Sequence, residues 1–359
     1  MKRSLGIMSG EHRSPHSVLA RLLDYLPAGT PALGADDPVR SLQRRIAQLL
    51  GKEAAILLPT GKMAQQIALR LHAESTGRRI FAAHPSCHLA NWEYEGFAEV
   101  HGLKFRALGD RNRLISEGDI HSVWEPVAAV LWELPQRDLG GLSPEWETLC
   151  RQVAAARQLG AHTHMDGARL WEAQTFYERE YGEICGLFDT VYVSLYKTIG
   201  AARGALLAGT TGLIEQAARW AVRLGGESAG NWHLGAAGLL ALHETIPRMQ
   251  AYREHALKIA AAINRTGVAK TVPLIPQTPM FRVRLPVAPE AAVNAHVALC
   301  KETGLEVFGM VLTSDDPDAC IFEISVAEGA LAIDPGEVAQ FLARLVERAR
   351  PATAATAAG

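Results

Sequence analysis

The spacing of apolar positions changes character near residue 40. Before it the chain is mixed: SVLARLLDYL reads as one short helical piece, and Gly29, Pro31, Gly34 and Pro38 interrupt the residues after it, as in an arm. From Asp37 the pattern is regular. VRSLQRRIAQLLG sets Val39, Leu42, Ile46, Leu49 and Leu50 on one helical face and stops at Gly51. The apolar run AAILL then leads through a turn with Pro59 and Gly61 into an amphipathic helix from about Met63. RIFAAHP and GLKFRAL read as strands, and SCHLANWEYEGFAEVHG between them reads as one helix carrying His88, Trp92 and Glu93. Ser116 followed by Asp119 signals a helix start.

AAVLWEL is a buried strand that leaves through Pro135 and the pair Gly140-Gly141. SPEWETLCRQVAAARQLG predicts a helix with Ser143 as N-cap, Pro144 at its first position, acidic residues in the first turn and Gly160 at its end. It returns the chain to the strand AHTHMDG, a β-α-β unit with parallel strands. Alternation over residues 54–209 predicts an α/β fold with a doubly wound, mostly parallel sheet, whose ligands sit beyond the carboxyl ends of the strands. Two helical runs surround Gly225, Gly226 and Gly230. Past Tyr252, FRVRLP, PEAAVNAHVALCKETG, LEVFGMVL, CIFEISV and PGEVAQFLARLVERAR alternate strand and helix, as in a smaller α/β domain. The expected organisation is an arm over 1–40, a large domain over 41–250, a small domain over 251–349 and a low-complexity, disordered tail over 350–359.

Composition narrows the partners. Of 359 residues, 48% are hydrophobic, enough for one large core and a second, smaller one. The 36 basic and 38 acidic residues nearly cancel without long runs, which argues against nucleic acid or a membrane surface and for a small ligand. Five scattered cysteines without a CxxC pattern read as free thiols of a reducing compartment. No apolar run approaches the roughly 18 residues of a membrane span, so a cytoplasmic protein is expected.

The candidate chemistry lies in HTHMDGARL, residues 162–170, and VYVSLYKTIGAARGALLAG, residues 191–209. They place Asp166 and, about thirty residues on, Lys197 at the ends of two strands. A lysine that can hold an aldehyde as a Schiff base, with a carboxylate that keeps a pyridine nitrogen protonated, is what pyridoxal 5'-phosphate (PLP) chemistry needs. Arg169 reads either as a salt-bridging group at a helix start or as a bidentate partner for a carboxylate. The turn before Met63 presents backbone N–H groups at a helix N-terminus, suited to a phosphate, with Lys62 as an added positive charge.

HMDGARLWEA and SLYKTIGAARGALLAG resemble the matching segments of the threonine aldolase and β-eliminating lyase family, PLP enzymes of the aspartate aminotransferase fold (fold type I). The resemblance implies that Lys197 carries the cofactor, Asp166 faces its ring nitrogen and Arg169 holds the substrate α-carboxylate. TGKMAQQ is similar to the family's S-G-T-M-A-N-Q turn, so Thr60, Gly61 and Lys62 are implied at the phosphate, Thr60 for Ser and Lys62 for Thr. A family histidine over the PLP ring matches His88 best, with His84 and Cys87 competing for the place.

Departures fall on the substrate side. The family's L-E-N-T-H-N-x-x-G-G is matched by Glu133, Gly140 and Gly141, but Gln136 stands for the histidine thought to contact the β-hydroxyl and Arg137 for the asparagine after it. Thr198 and Arg203 depart from S-K-G-L-G-A-P. Arg223 precedes the Gly-rich turn, Ala229 and Gly230 offer no arginine after it, and Glu323 lies near where a late family arginine would fall. The resemblance implies cleavage of threonine or allo-threonine to glycine and an aldehyde by a homodimer or homotetramer. β-Elimination or other Cα chemistry on a different amino acid is the alternative within the class; a non-catalytic regulator or subunit of the same fold is the alternative outside it.

Overall fold

The structure is a computed structural model that describes residues 3–6 and 14–350. The expected disordered tail, from residue 351 on, lies outside the described residues. Two compact units separate at Met249 and Gln250, with Arg3–Gly6 belonging to the second.

The first unit is built on a seven-stranded sheet: β1 (Ala54–Leu58), β2 (Ile80–Ala83), β3 (Lys104–Ala107), β4 (Ala129–Glu133), β5 (His162–Gly167), β6 (Thr190–Ser194) and β7 (Ala205–Gly209), in the order β1-β7-β6-β5-β4-β2-β3. The run from β6 to β3 is parallel, and β7 is antiparallel to both its neighbours. This is the mostly parallel α/β sheet that the alternation predicts. The continuous apolar runs AVLWE and TVYVS are buried along their whole length, as expected of strands covered on both faces, whereas the edge strand KFRA is largely exposed.

Helices Gly61–Thr76 and Thr211–Arg223 pack Ile67, Leu71, Ile214 and Ala217 against Ile56, Leu58, Tyr192 and Leu207. Helices Pro38–Leu49 and Trp232–Thr245 meet closely: a Cβ on Gly235 would come within 2.5 Å of the Pro38 carbonyl carbon and the Val39 nitrogen, so only glycine permits the crossing.

Three local expectations are corrected. The single helix read over residues 86–102 is broken into His88–Trp92 and Gly96–Glu99 by Tyr94 and Glu95, both with positive φ. The break turns the Glu93 side chain inward, where it is buried and bonded. Ser143 does not cap the following helix, which begins at Trp146 with Glu145 at the cap position and no side-chain cap; Ser143 is itself buried. The helix after β1 begins at Gly61 rather than Met63, because the Thr60 hydroxyl accepts the Met63 N–H and caps it two residues early.

The second unit holds a four-stranded antiparallel sheet in the order Val311–Thr313, Cys320–Ser325, Met280–Leu285, Lys270–Val272, with helices Pro289–Thr303 and Pro335–Ala349. LEVFGMVL is not one strand: Leu305–Glu306 pairs in parallel with Arg3–Ser4, and Val311–Thr313 joins the larger sheet. The expected arm is thus divided, its first described residues forming that two-stranded pair and residues 14–40 lying in the first unit.

Candidate active site

Parallel register brings the chemistry together. Glu133 of β4 is the partner of Asp166 on β5, and Asp166 is the partner of Tyr192 on β6. Partners in a parallel sheet share a face, so two carboxyls and a phenol form a row near the carboxyl ends of adjacent strands. Lys197 follows β6 by three residues.

Asp166 is 2% exposed and accepts the Ala168 N–H at 3.0 Å. Burial raises its pKa, while neighbouring His88, the Ala168 N–H and the Lys197 amine hold it down. A carboxylate buried this deeply needs a cation at its open side. Burial pushes the Lys197 amine down to about 8, reinforced by Arg169 and Arg137 and opposed by Asp166 and Glu133. A lysine so placed is in part a neutral nucleophile near physiological pH.

Glycine shapes this floor. On Gly167 a Cβ would lie 2.6 Å from the Tyr192 carbonyl oxygen; on Gly61 it would lie 1.9 Å from the Tyr192 hydroxyl. The first turn of the 16-residue helix from Gly61 is therefore packed directly on the strand that leads to Lys197. Its first N–H groups have no carbonyl within the helix and form a donor set for an anion. The Thr60 hydroxyl is engaged by Met63 N–H at 3.2 Å, and Lys62 is exposed.

Arg169 is 7% exposed with Nε 3.6 Å from Glu172 Oε1. The same Glu172 oxygen accepts the Thr198 hydroxyl. Thr198, a departure from the family sequence, ties the residue after Lys197 to the carboxylate that holds Arg169. Arg203 is exposed.

On the opposite rim, His88 Nδ1–H donates to Glu93 Oε1 at 2.8 Å, and Glu93 Oε2 accepts Gln66 Nε2–H at 2.9 Å. His88 is partly exposed, whereas its competitors face inward: His84 accepts Ser86 N–H and donates to the Arg113 carbonyl, and burial pushes the Cys87 thiol far up. Glu133 Oε2 accepts the His88 backbone N–H at 3.2 Å and Gln136 Nε2–H at 3.3 Å, and Oε1 accepts the Arg137 N–H at 3.2 Å. Burial, Asp166 and Asp138 push this carboxyl up to about 8, against the Arg137 N–H and the charge of Arg169. Gln136 is buried, its amide N–H also directed to the Ser86 carbonyl at 3.3 Å.

The structure therefore brings Asp166, Lys197, Arg169, His88 and Gln136 around one buried polar cluster, with Thr60 and Gly61 at the adjoining helix start. Sequence reading misses the roles of Glu93, Glu172 and Tyr192. Glu172 had a signal in its i,i+3 spacing from Arg169, and Glu93 in its place five residues after His88, though the helical reading would have turned Glu93 elsewhere.

Arg223 lies over the Trp220 ring at 4.7 Å; in the second unit, Glu323 is the cross-strand partner of Arg282.

Residues 17–285 match the sequence profile of the β-eliminating lyase family. The chain is 34% identical to a Listeria monocytogenes protein provisionally assigned as an L-allo-threonine aldolase; the match has a TM-score of 0.89 and covers 97% of this chain and 96% of that one. It is 30% identical to an Exiguobacterium protein provisionally assigned as an aromatic amino acid β-eliminating lyase/threonine aldolase, with a TM-score of 0.89 and coverage of 96% and 97%. The low specificity L-threonine aldolase of Escherichia coli is 29% identical over 263 residues, 70% of this chain and 77% of that protein.

Proposed function

The chain belongs to the β-eliminating lyase family, PLP-dependent enzymes of fold type I, and from that premise we propose that it cleaves threonine or allo-threonine to glycine and an aldehyde. The observation that carries the reading is the meeting of Asp166 and Lys197 at adjacent strand ends, the carboxyl buried and the amine pushed down to about 8.

PLP fits the residues present. Asp166, a buried carboxylate, would take a protonated ring nitrogen as its counter-ion; Lys197 would hold the aldehyde carbon; and the first turn of the Gly61–Thr76 helix, with Thr60, Gly61 and Lys62, would hold the phosphate. When bound, PLP supplies a π-system that takes up the electrons of the bond broken at Cα.

The remaining work belongs to the chain. Arg169, held by Glu172, would pair with the α-carboxylate and so fix how the amino acid is oriented about Cα. Lys197, its amine pushed down to about 8, would be the base that returns a proton to the glycine carbon. His88, fixed by Glu93, would form one wall of the ring's site. Gln136, in place of a histidine, offers no titratable group to the β-hydroxyl, and Glu133 beneath it is the nearby carboxyl whose proton affinity lies near neutrality. The same reading makes the protein a cytoplasmic homodimer or homotetramer, in keeping with five free cysteines. Among the described residues no helix is long and apolar enough to cross a membrane.

The test is spectroscopic and chemical. Purified protein mixed with PLP should show the visible band of lysine-linked PLP, and Lys197→Ala should lack it. Aldehyde should appear with L-threonine or L-allo-threonine, at a rate reduced at least about 10³-fold in Lys197→Ala. A band without aldehyde from either amino acid would leave the cofactor assignment standing and turn the reaction to β-elimination or other Cα chemistry.

A further inference from the structure

Glu133 is the buried carboxyl of the site that the aldolase reading leaves without a task of its own. It is the last residue of β4 and pairs in register with Asp166 on β5, so its side chain rises from the floor on the same face as the carboxyl proposed for the ring nitrogen. Its two oxygens accept three N–H groups, and none of the three belongs to the floor. Oε2 takes the His88 backbone N–H at 3.2 Å and Gln136 Nε2–H at 3.3 Å; Oε1 takes the Arg137 backbone N–H at 3.2 Å.

These donors come from two stretches of chain far apart in sequence. His88 opens the short helix after β2, and Gln136 and Arg137 lie in the exit loop of β4. One oxygen, Oε2, is shared between the two stretches, so a single side chain sets where the His88 helix starts relative to the Gln136 amide. That amide also reaches the Ser86 carbonyl at 3.3 Å, on the His88 side, and doubles the link. An ionised carboxylate has acceptor sites for all three donors, and burial keeps water from competing for them. The Arg137 N–H and the charge of Arg169 favour that form while burial, Asp166 and Asp138 oppose it, so it prevails above about pH 8.

We propose that Glu133 is a positioning residue: one carboxylate, rooted beside Asp166, clamps the His88 helix to the Gln136–Arg137 loop and so sets the spacing between the wall of the ring's site and the group beside the β-hydroxyl. The inference rests on the aldol-cleavage reading above for the tasks of His88 and Gln136, and adds a residue that acts through them. In this role Glu133 touches neither cofactor nor substrate, and its reach matters as much as its charge. An amide at this position would turn an N–H₂ group toward the donors on one side of the clamp. A side chain one methylene shorter would keep the charge and fall short of the rim.

The first measurement needs neither cofactor nor turnover. Hydrogen exchange of the protein stripped of PLP, read by mass spectrometry at about pH 9, where the carboxylate prevails, is compared among wild type, Glu133→Gln and Glu133→Asp. Both variants should exchange about tenfold faster or more in peptides over residues 86–92 and 136–142, while peptides over 162–167 and 190–194 keep wild-type rates. The second is kinetic. With PLP bound, kcat on L-allo-threonine should fall about 100-fold in both variants, and KM should stay within about threefold of wild type.

Glu133→Asp with wild-type exchange and kcat overturns the proposal, since charge without reach would then suffice. Unchanged exchange at the rim in Glu133→Gln overturns it too, as does exchange that rises equally in the floor strands, which would make Glu133 a general stabiliser. Loosening confined to the rim with wild-type kcat has the same force, because the chemistry would then not use the rim's placement. Should Glu133→Gln fail to fold, Glu133→Asp decides alone by the same two readings. If the wild type cleaves neither threonine nor allo-threonine while both variants loosen only at the rim, the aldolase reading fails and the clamp stands.

Discussion

The floor of the site and its rim are held by different forces. The floor, Asp166, Gly167 and the approach to Lys197, is strand backbone locked by ladder hydrogen bonds on both sides. The rim, His88 to Glu95 and Gln136 to Gly141, is loop and short helix fixed by side chains: Glu93 on His88, and Glu133 on His88, Gln136 and Arg137. Floor positions are coupled to the whole sheet and tolerate little change. Rim positions are coupled to a few polar bonds and can be exchanged, and two of the departures from the family pattern, Gln136 and Arg137, lie there.

That contrast breaks first at the glycines. Gly167→Ala sets a Cβ 2.6 Å from the Tyr192 carbonyl oxygen, a backbone atom that cannot turn aside. It should cost about 3 kcal/mol of unfolding free energy. Gln136→Ala, on the rim, removes amide bonds of 3.3 Å and should cost about 1 kcal/mol. Urea denaturation of the two variants measures the gap, and equal losses would mean that floor and rim unfold as one cooperative polar network. Gly61→Ala is the intermediate case. Its clash is with the Tyr192 side chain, the hydroxyl at 1.9 Å and ring carbon Cζ at 2.2 Å, so Tyr192→Phe in the same chain should restore only the hydroxyl's part of the loss.

The same division explains what the sequence discloses. Asp166, Arg169 and Lys197 are legible because strand ends are local: a β-branched run, its end and the next residues lie together in the chain. The buried runs AVLWE and TVYVS likewise announce a sheet covered on both faces. The rim is not legible in this way. Glu93 turns inward only because Tyr94 and Glu95 take left-handed backbone conformations, which no residue type there announces. Glu172 matters because Thr198 and Arg169, far apart in sequence, converge on it. Ser143 has the right type and spacing for a cap and is instead buried, since the helix starts beyond it. Helix caps, positive φ and convergence on a carboxyl are decided by tertiary packing, which overrides local preference.

Desolvation of the floor has a kinetic signature of moderate size. The Lys197 amine is protonated below its pKa of about 8 and neutral above it. With Lys197 as the proposed carrier of the aldehyde, only its neutral form would capture PLP, so about a tenth of the protein should be competent at pH 7. The rate of PLP capture by stripped protein, followed by stopped-flow absorbance, should rise nearly tenfold from pH 6 to 7 and level off above about 8. An ordinary exposed lysine would keep the rate climbing to about pH 10. A midpoint there would mean that the floor is wetter than its burial indicates.

The smallest effect should come from Lys62, the exposed charge at the otherwise packed helix start. The phosphate would be held by backbone N–H groups and the helix dipole, which Lys62→Ala leaves in place. What the variant loses is one solvated cation. Its contribution is screened within about 10 Å at 0.1 M salt. PLP affinity, measured by equilibrium dialysis, should fall roughly threefold at low ionic strength and be indistinguishable from wild type at high salt. A loss of about 100-fold that survives high salt would show Lys62 in direct, desolvated contact with the phosphate. The chain would then have replaced the family's hydroxyl at this position with a charge, and exchange of polar groups would extend from the rim into the floor.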